Sequence, residues 1–60
     1  MNDFYTEIDK ELRSHERGEE FPNKTIHAIV DDIYDAWKGG NLSKVEAAAL
    51  AERALNIICA

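Results

Sequence analysis

A short break, Gly39-Gly40-Asn41, interrupts a helical pattern of apolar residues in the second half of the chain. On both sides of the break, apolar residues recur at the three- and four-residue spacing of an amphipathic helix. Just after it, Ser43 and Glu46 have the spacing of a capping box, which marks the start of a helix. The sequence therefore predicts a helical hairpin over about residues 25–59. We expect Gly39 to adopt the left-handed conformation that commonly closes a helix.

The first helix of the hairpin is predicted over about residues 24–38, with one apolar face that we expect to form the core. Either Asn23 or Thr25 can cap its start, because a short side-chain oxygen accepts a hydrogen bond from an amide of the first turn. The predicted core residues are Ile26, Ile29, Val30, Ile33 and Trp37.

The second helix of the hairpin, predicted over about residues 44–58, is apolar around roughly half of its circumference. A helix that covers a single core usually shows a stripe of about 100°, so the wider arc predicts contact with two surfaces. We expect one of them to be the chain's own core and the other a second copy, in a homodimer. The predicted dimer interface contains Leu50, Ala51, Ala54, Leu55 and Ile58.

The N-terminal helix is predicted over about residues 3–17, capped by Asn2 or Asp3 and ended by Gly18. It carries a narrow apolar stripe, and the loop that follows holds Phe21, which we expect to pack under the hairpin. The predicted fold is all-α: a single domain over residues 1–60 whose three helices are antiparallel neighbours joined by short loops. The apolar stripe consists of Phe4, Tyr5, Ile8 and Leu12.

The small size of the chain favours association with a partner. A domain of 60 residues buries only about 60% of the surface that its unfolded chain exposes, so its stability is marginal. Small domains commonly gain stability from disulfides, a metal or oligomerisation. A single cysteine, Cys59, excludes an internal disulfide, and no Cys/His cluster indicates structural zinc. Oligomerisation is then the remaining way to gain stability, although three well-formed helices can also be stable without a partner.

The charge balance is acidic, with 12 acidic and 7 basic residues and a net charge of −5. Such a chain repels the phosphates of nucleic acids and anionic membrane surfaces. No apolar run approaches the ~20 residues that span a bilayer, and the N-terminus lacks the pattern of a signal peptide, so we expect a cytoplasmic protein. The acidic residues that we expect to face a partner are Asp31, Asp32, Asp35, Glu19 and Glu20.

Candidate chemical groups are few, and the sequence predicts no enzyme, no cofactor and no metal site. His27 and Asp31 are four residues apart, which suits a metal ligand pair, but charges on a solvated helix face are ordinary. We expect His15 to be a half-buried residue at the edge of the first helix. Cys59 has no basic neighbour in sequence to lower its pKa, so we expect it to behave as a small buried apolar residue.

These features favour a non-enzymatic protein–protein interaction module that self-associates and binds a larger protein. Small acidic chains of this kind suit accessory, inhibitory or regulatory roles, such as those of phage accessory proteins. Two alternatives remain open. The acidic surface could imitate a nucleic acid and occupy the basic groove of a DNA- or RNA-binding protein. The hairpin could also be a helix-turn-helix that binds DNA, although its second helix carries few basic side chains.

Overall fold

The computed structural model describes residues 3–20, 22 and 24–59, which form three α-helices. Helix α1 spans Asp3–Glu16, α2 spans Ile26–Lys38 and α3 spans Lys44–Ile58. Every pair of helices is in contact, and the bundle measures 32 × 20 × 17 Å. The described residues contain no strand, so the predicted all-α, three-helix fold is confirmed. The expectations for Asn2, Phe21 and Asn23 concern residues outside the described ranges.

Side-chain caps define where the two hairpin helices begin. The hydroxyl of Thr25 accepts a hydrogen bond from the amide of Ala28 at 3.2 Å and caps α2. At the start of α3, the Ser43 hydroxyl accepts from the Glu46 amide at 3.1 Å, and the Ser43 amide donates to the Glu46 carboxylate at 2.9 Å. The predicted capping box is therefore confirmed.

The turn between α2 and α3 reverses at Gly40. Gly39 has φ −78° and its amide donates to the Asp35 carbonyl at 2.9 Å, so it continues the helical geometry. The prediction of a left-handed Gly39 is wrong by one position, since Gly40 has φ +79°. The next residues bend back toward the helix, and the amide of Leu42 donates to the carbonyl of Ala36 at 3.2 Å. This places the Leu42 side chain in the core.

The core draws side chains from all three helices and from the turn. Leu12 of α1, Ile29 of α2 and Leu50 of α3 are its largest fully buried side chains. Burying a side chain of this size contributes roughly 1.5–3 kcal/mol to folding. The buried cluster consists of Ile8, Leu12, Ile29, Ile33, Ala36, Leu42, Leu50 and Ala54.

The predicted core of α2 is only partly correct. Ile29 and Ile33 are buried, and Ile26 is half-buried and packs against the core. Trp37 and Val30, by contrast, are 44% and 37% exposed. The apolar face of α2 is wider than the two neighbouring helices can cover, so its outer edge stays open to solvent.

The predicted dimer interface also needs correction. Leu50 and Ala54 are fully buried in the chain's own core, so they cannot offer an intersubunit surface while the fold is intact. Ala51 is half-buried, and Leu55 and Ile58 are exposed. The apolar arc of α3 is thus divided: its middle packs on α1 and α2, and one flank remains open. Cys59, expected to be buried, is exposed because it lies just past the end of α3.

Candidate docking surfaces

A groove of about 300 Å³ runs between α2 and α3 and is lined almost entirely by apolar side chains. We call it the apolar groove. The α2 wall carries large side chains and the α3 wall carries small ones, while Lys44 lies at one end. The groove is lined by Val30, Ile33, Tyr34 and Trp37 of α2 and by Lys44, Ala47, Ala48 and Ala51 of α3.

The aromatic wall of the apolar groove is held in place by contacts within α2. The rings of Tyr34 and Trp37 meet edge to face with centroids 6.0 Å apart. The ammonium group of Lys38 lies 5.1 Å from the centroid of the Tyr34 ring, within the range of a cation–π interaction. Tyr34 is 54% exposed, so the two rings form a preformed apolar ridge that faces solvent.

The open flank of α3 extends the apolar groove toward the end of the helix. At about 100° per residue, positions 44, 48, 51, 55 and 58 lie along one side of α3. Leu55 and Ile58, the last two, are both exposed. Contiguous exposed apolar surface on a small chain commonly marks an interface. The sequence pattern could not distinguish this exposed flank from the apolar stripe that faces the core, because the two lie side by side on one helix.

A second groove, of about 580 Å³, lies between α1 and α2 and has acidic walls over an apolar floor. We call it the acidic groove. It brings two of the predicted acidic residues, Asp32 and Asp35, together with three acids of α1. Lys24 is the cation at its edge. The acids of α1 in this groove are Asp3, Glu7 and Glu11, and the apolar floor includes Phe4, Ile8, Ile29 and Ala36.

The five acidic residues predicted to face a partner do not form one surface. Asp31 is exposed on α2, whereas Glu19 and Glu20 lie in the loop after α1, and none of the three lines the acidic groove. Two of the five charges are partly neutralised. Asp32 accepts a hydrogen bond from Lys24, and this contact raises the pKa of the Lys24 ammonium group.

The other neutralised charge belongs to Glu19. Its carboxylate accepts from Arg17 at 2.8 Å. Hydrogen bonds from Arg17 and, to a smaller extent, Ser14 lower the pKa of the Glu19 carboxyl below its ordinary value. The pair lies on an exposed surface, so it contributes little to stability.

An ionic cluster centred on Arg53 joins α3 to α1 and was not anticipated from the sequence. Two nitrogens of the Arg53 guanidinium donate to the Glu16 carboxylate, and a third donates to Asp9. Asp9 also pairs with Arg13 at 3.1 Å, one helical turn away, as its i,i+4 spacing indicates. The bond from Arg53 holds the pKa of the Glu16 carboxyl below its ordinary value. One basic side chain of α3 is therefore engaged within the fold.

The two histidines considered as candidate chemical groups differ in their surroundings. His15 is half-buried, as expected, and its Nε2 lies 2.7 Å from the carbonyl oxygen of Lys24. A carbonyl oxygen only accepts, so this nitrogen carries the proton and ties α1 to the segment before α2. His27 is exposed on α2. Across residues 3–20, 22 and 24–59, no three His, Cys, Asp or Glu side chains converge in a way that could hold a metal ion.

Comparison with known proteins does not indicate a function for this chain. The sequence matches no protein-family model, and neither curated proteins nor solved structures give a match. Within the part of the chain that the structure describes, no helix combines the length and the apolar character needed to cross a membrane.

Proposed function

We propose that this chain is a non-enzymatic protein–protein interaction module and that the apolar groove is its binding surface. The observation that carries the proposal is the exposed ridge of Tyr34 and Trp37 beside a wall of alanines. Tyrosine and tryptophan are enriched among the residues that dominate binding energy at interfaces. Such a module acts through contact with a protein partner, either a second copy of the chain or a larger protein, which suits an accessory or inhibitory role.

The exposed apolar side chains set the strength of binding that this surface can support. Five large side chains around the groove are roughly half exposed. If covering each one contributes about 1 kcal/mol, the apolar gain is about 5 kcal/mol. Association itself costs an estimated 4–15 kcal/mol. Apolar contact alone therefore supports only weak binding, and a stable complex needs complementary charges as well. These side chains are Val30, Tyr34, Trp37, Leu55 and Ile58.

The acidic groove favours a second function, in which the chain imitates a nucleic acid and occupies a basic protein surface. Carboxylates of α1 and α2 line this groove together. Charge of one sign in a cleft steers an oppositely charged partner and speeds its association. The helix-turn-helix alternative has less support. Arg53 is bonded to α1, which leaves Lys44 as the remaining cation of α3 for contact with phosphate.

Site-specific photo-cross-linking in the native cells tests the leading proposal. A benzophenone amino acid replaces Tyr34 in the apolar groove, and a matched control carries it at Lys10, an exposed position of α1. We expect an adduct of defined mass from position 34 and none from position 10. The adduct should disappear when Ala51→Glu is added, because a carboxylate then enters the groove. The same adducts from both positions, or none from position 34, would overturn the proposal.

A third cross-linking position separates the two candidate functions. The benzophenone at Glu7 lies in the acidic groove rather than the apolar one. Capture of a DNA- or RNA-binding protein from position 7 alone would favour the nucleic-acid mimic. Capture from position 34 alone would favour the interaction module.

A further inference from the structure

We infer that the apolar groove is filled by a second copy of this chain, with α2 antiparallel to α2 and α3 antiparallel to α3. The two-fold axis passes at the level of Tyr34 and Ala48. This inference rests on the proposed function, in which the groove is a binding surface, and adds the identity and the register of its occupant. The argument for a second copy comes from the positions of four exposed charged residues on the two helices that form the groove.

Tyr34 and Ala48 lie at the same height on opposite walls of the apolar groove. The two helices are joined by the short turn of residues 39–43, so they run antiparallel. Tyr34 lies four residues before the end of α2, and Ala48 lies four residues after the start of α3. At 1.5 Å per residue, each is about 6 Å from the turn. A two-fold axis at this height can therefore relate both helices to their copies at once.

The charges of α2 are arranged almost symmetrically about Tyr34. Asp31 lies three residues before it and Lys38 four residues after it, and both side chains are exposed. When a second α2 lies antiparallel with Tyr34 against Tyr34, Asp31 faces Lys38 of the second copy. The two-fold axis repeats the pair, so α2 supplies two ion pairs. Val30 lies opposite Trp37 of the second copy in the same register.

The charges of α3 are symmetrical about Ala48. Lys44 lies four residues before it and Glu52 four residues after it, and both are exposed. An antiparallel copy centred at Ala48 places Lys44 at the same height as Glu52 of the second copy, across the seam between the two helices, again twice. The two helices thus give the same centre independently, and both bring opposite charges to the same height along the interface. Charge complementarity of this kind fixes orientation and register at interfaces.

The other face-to-face arrangement has a two-fold axis parallel to the helices. It places α2 over α3 of the second copy and brings the two turns to the same end. Lys38 and Lys44 of both copies would then gather at that end. Like charges brought together at an interface are unfavourable, so the antiparallel arrangement is the one that the charged residues of α2 and α3 support.

Close approach at the axis is possible because Ala48 has a small side chain. Helix axes in contact are about 8–10 Å apart, and each Cα lies about 2.3 Å from its own axis. The Cα atoms of two facing Ala48 residues are then about 3.4–5.4 Å apart. This separation overlaps the range that a disulfide spans, which makes the register directly measurable.

Disulfide trapping tests the register. The chain carries Cys59→Ser with Ala48→Cys, and the matched control carries Cys59→Ser with Ala49→Cys, about 100° around the same helix. Both alanines are exposed. We expect mild oxidation to convert most of the position-48 variant, and at least tenfold less of the control, to covalent dimer. A mixture of two single-cysteine variants, Tyr34→Cys and Ala48→Cys, provides the opposing test. A disulfide between the two variants, with no covalent homodimer of the position-48 variant, would overturn the antiparallel register.

Charge reversal with sedimentation equilibrium tests the ion pairs in the unlinked protein. Lys44→Glu should raise the dimer dissociation constant about tenfold, and adding Glu52→Lys should restore it. The control Lys10→Glu changes the net charge equally on an exposed position of α1 and should leave the dissociation constant unchanged. A Lys44→Glu variant that dimerises like its parent, or a double variant that stays dissociated, would contradict the inference.

The photo-cross-linking result separates failure of this inference from failure of the proposed function. If the chain stays monomeric at hundreds of micromolar while position 34 captures a different protein, the second copy is excluded and the interaction module stands. If the chain is monomeric and position 34 captures nothing, both are excluded.

Discussion

Arg53 on α3 donates two hydrogen bonds to the carboxylate of Glu16 on α1, from Nε at 3.1 Å and from Nη2 at 2.7 Å. This paired geometry is the strongest form of contact between a guanidinium and a carboxylate. It matters here because α1 contributes only Ile8 and Leu12 to the buried core. The attachment of α1 to the hairpin therefore depends on a few apolar contacts and on this ionic cluster.

Replacing Arg53 by methionine keeps the apolar stem of the side chain and removes the charge. We expect Arg53→Met to lower the free energy of unfolding by about 1–2 kcal/mol, since hydrogen bonds to two carboxylates are lost. Urea denaturation followed by circular dichroism measures the change. Arg17→Met is the control, because its pair with Glu19 is exposed and should be worth less than about 0.5 kcal/mol. Equal losses in the two variants would contradict a special role for Arg53.

The lowered pKa of Glu16 predicts a dependence of stability on pH. A carboxyl whose pKa lies below 4.5 in the folded state contributes its full stabilisation above that value and loses it as the pH falls through the folded value. Glu16→Gln should therefore flatten the fall in unfolding free energy below about pH 4.5. Denaturation curves from pH 3 to 7 check this. Glu20→Gln, which removes an exposed carboxylate of the neighbouring loop, should keep the parent's slope.

Leu42 lies in a turn but packs in the core, which gives a sharp test of the fold. Leu42→Ala should lower the free energy of unfolding by about 2–5 kcal/mol, the usual range for a buried leucine. Val45→Ala is the matched control, because Val45 is 79% exposed and its truncation should change stability by less than about 0.5 kcal/mol. A tolerated Leu42→Ala would show that the turn does not close over the core.

The capping box of α3 gives a fourth stability test. Ser43→Ala removes the acceptor for the Glu46 amide and should cost about 1 kcal/mol. Asn56→Ala, at an exposed position of the same helix, should be neutral or slightly stabilising because alanine has the higher helix propensity. Chemical denaturation of the two variants distinguishes these outcomes, and a loss at Asn56 as large as that at Ser43 would contradict the cap's role.

The exposure of Trp37 predicts that it matters more for association than for folding. At concentrations where the chain is monomeric, Trp37→Ala should cost about 1–2 kcal/mol because the ring is only about half buried. Ile29→Ala, which empties a fully buried site, should cost about 2–5 kcal/mol. Denaturation at low micromolar concentration compares the two. A larger loss at Trp37 would mean that its ring is covered in the monomer.

Local sequence rules were sufficient to predict the helices. Capping residues and helical periodicity depend on neighbours a few positions apart, so Ser43 and Glu46 could be read directly. Periodicity could not decide which part of a wide apolar arc is covered by the rest of the chain. Trp37 was therefore assigned to the core, although it is 44% exposed, and Leu50 to an interface, although it is fully buried in the chain's own core.

The candidate site was predicted less completely, for the same physical reason. The pairing of Arg53 with Glu16 and Asp9 joins residues far apart in the sequence, and no local pattern signals it. The apolar groove likewise depends on how two helices lie side by side. The wide apolar arc of α3 did predict a second surface. The position of that surface depends on which part of the arc packs in the core, and the structure places Leu50 and Ala54 there.

The turn that buries Leu42 has a consequence for the order in which the chain folds. Residues 39–43 close a very short loop, and closing a short loop costs little chain entropy. Closing this loop also buries the Leu42 side chain, which enters the core between α2 and α3 and stabilises the hairpin. Contacts between near neighbours in sequence form early, so the hairpin is expected to be the nucleus. We expect helix α1 to dock last and to detach first, because it contributes only Ile8 and Leu12 to the buried core.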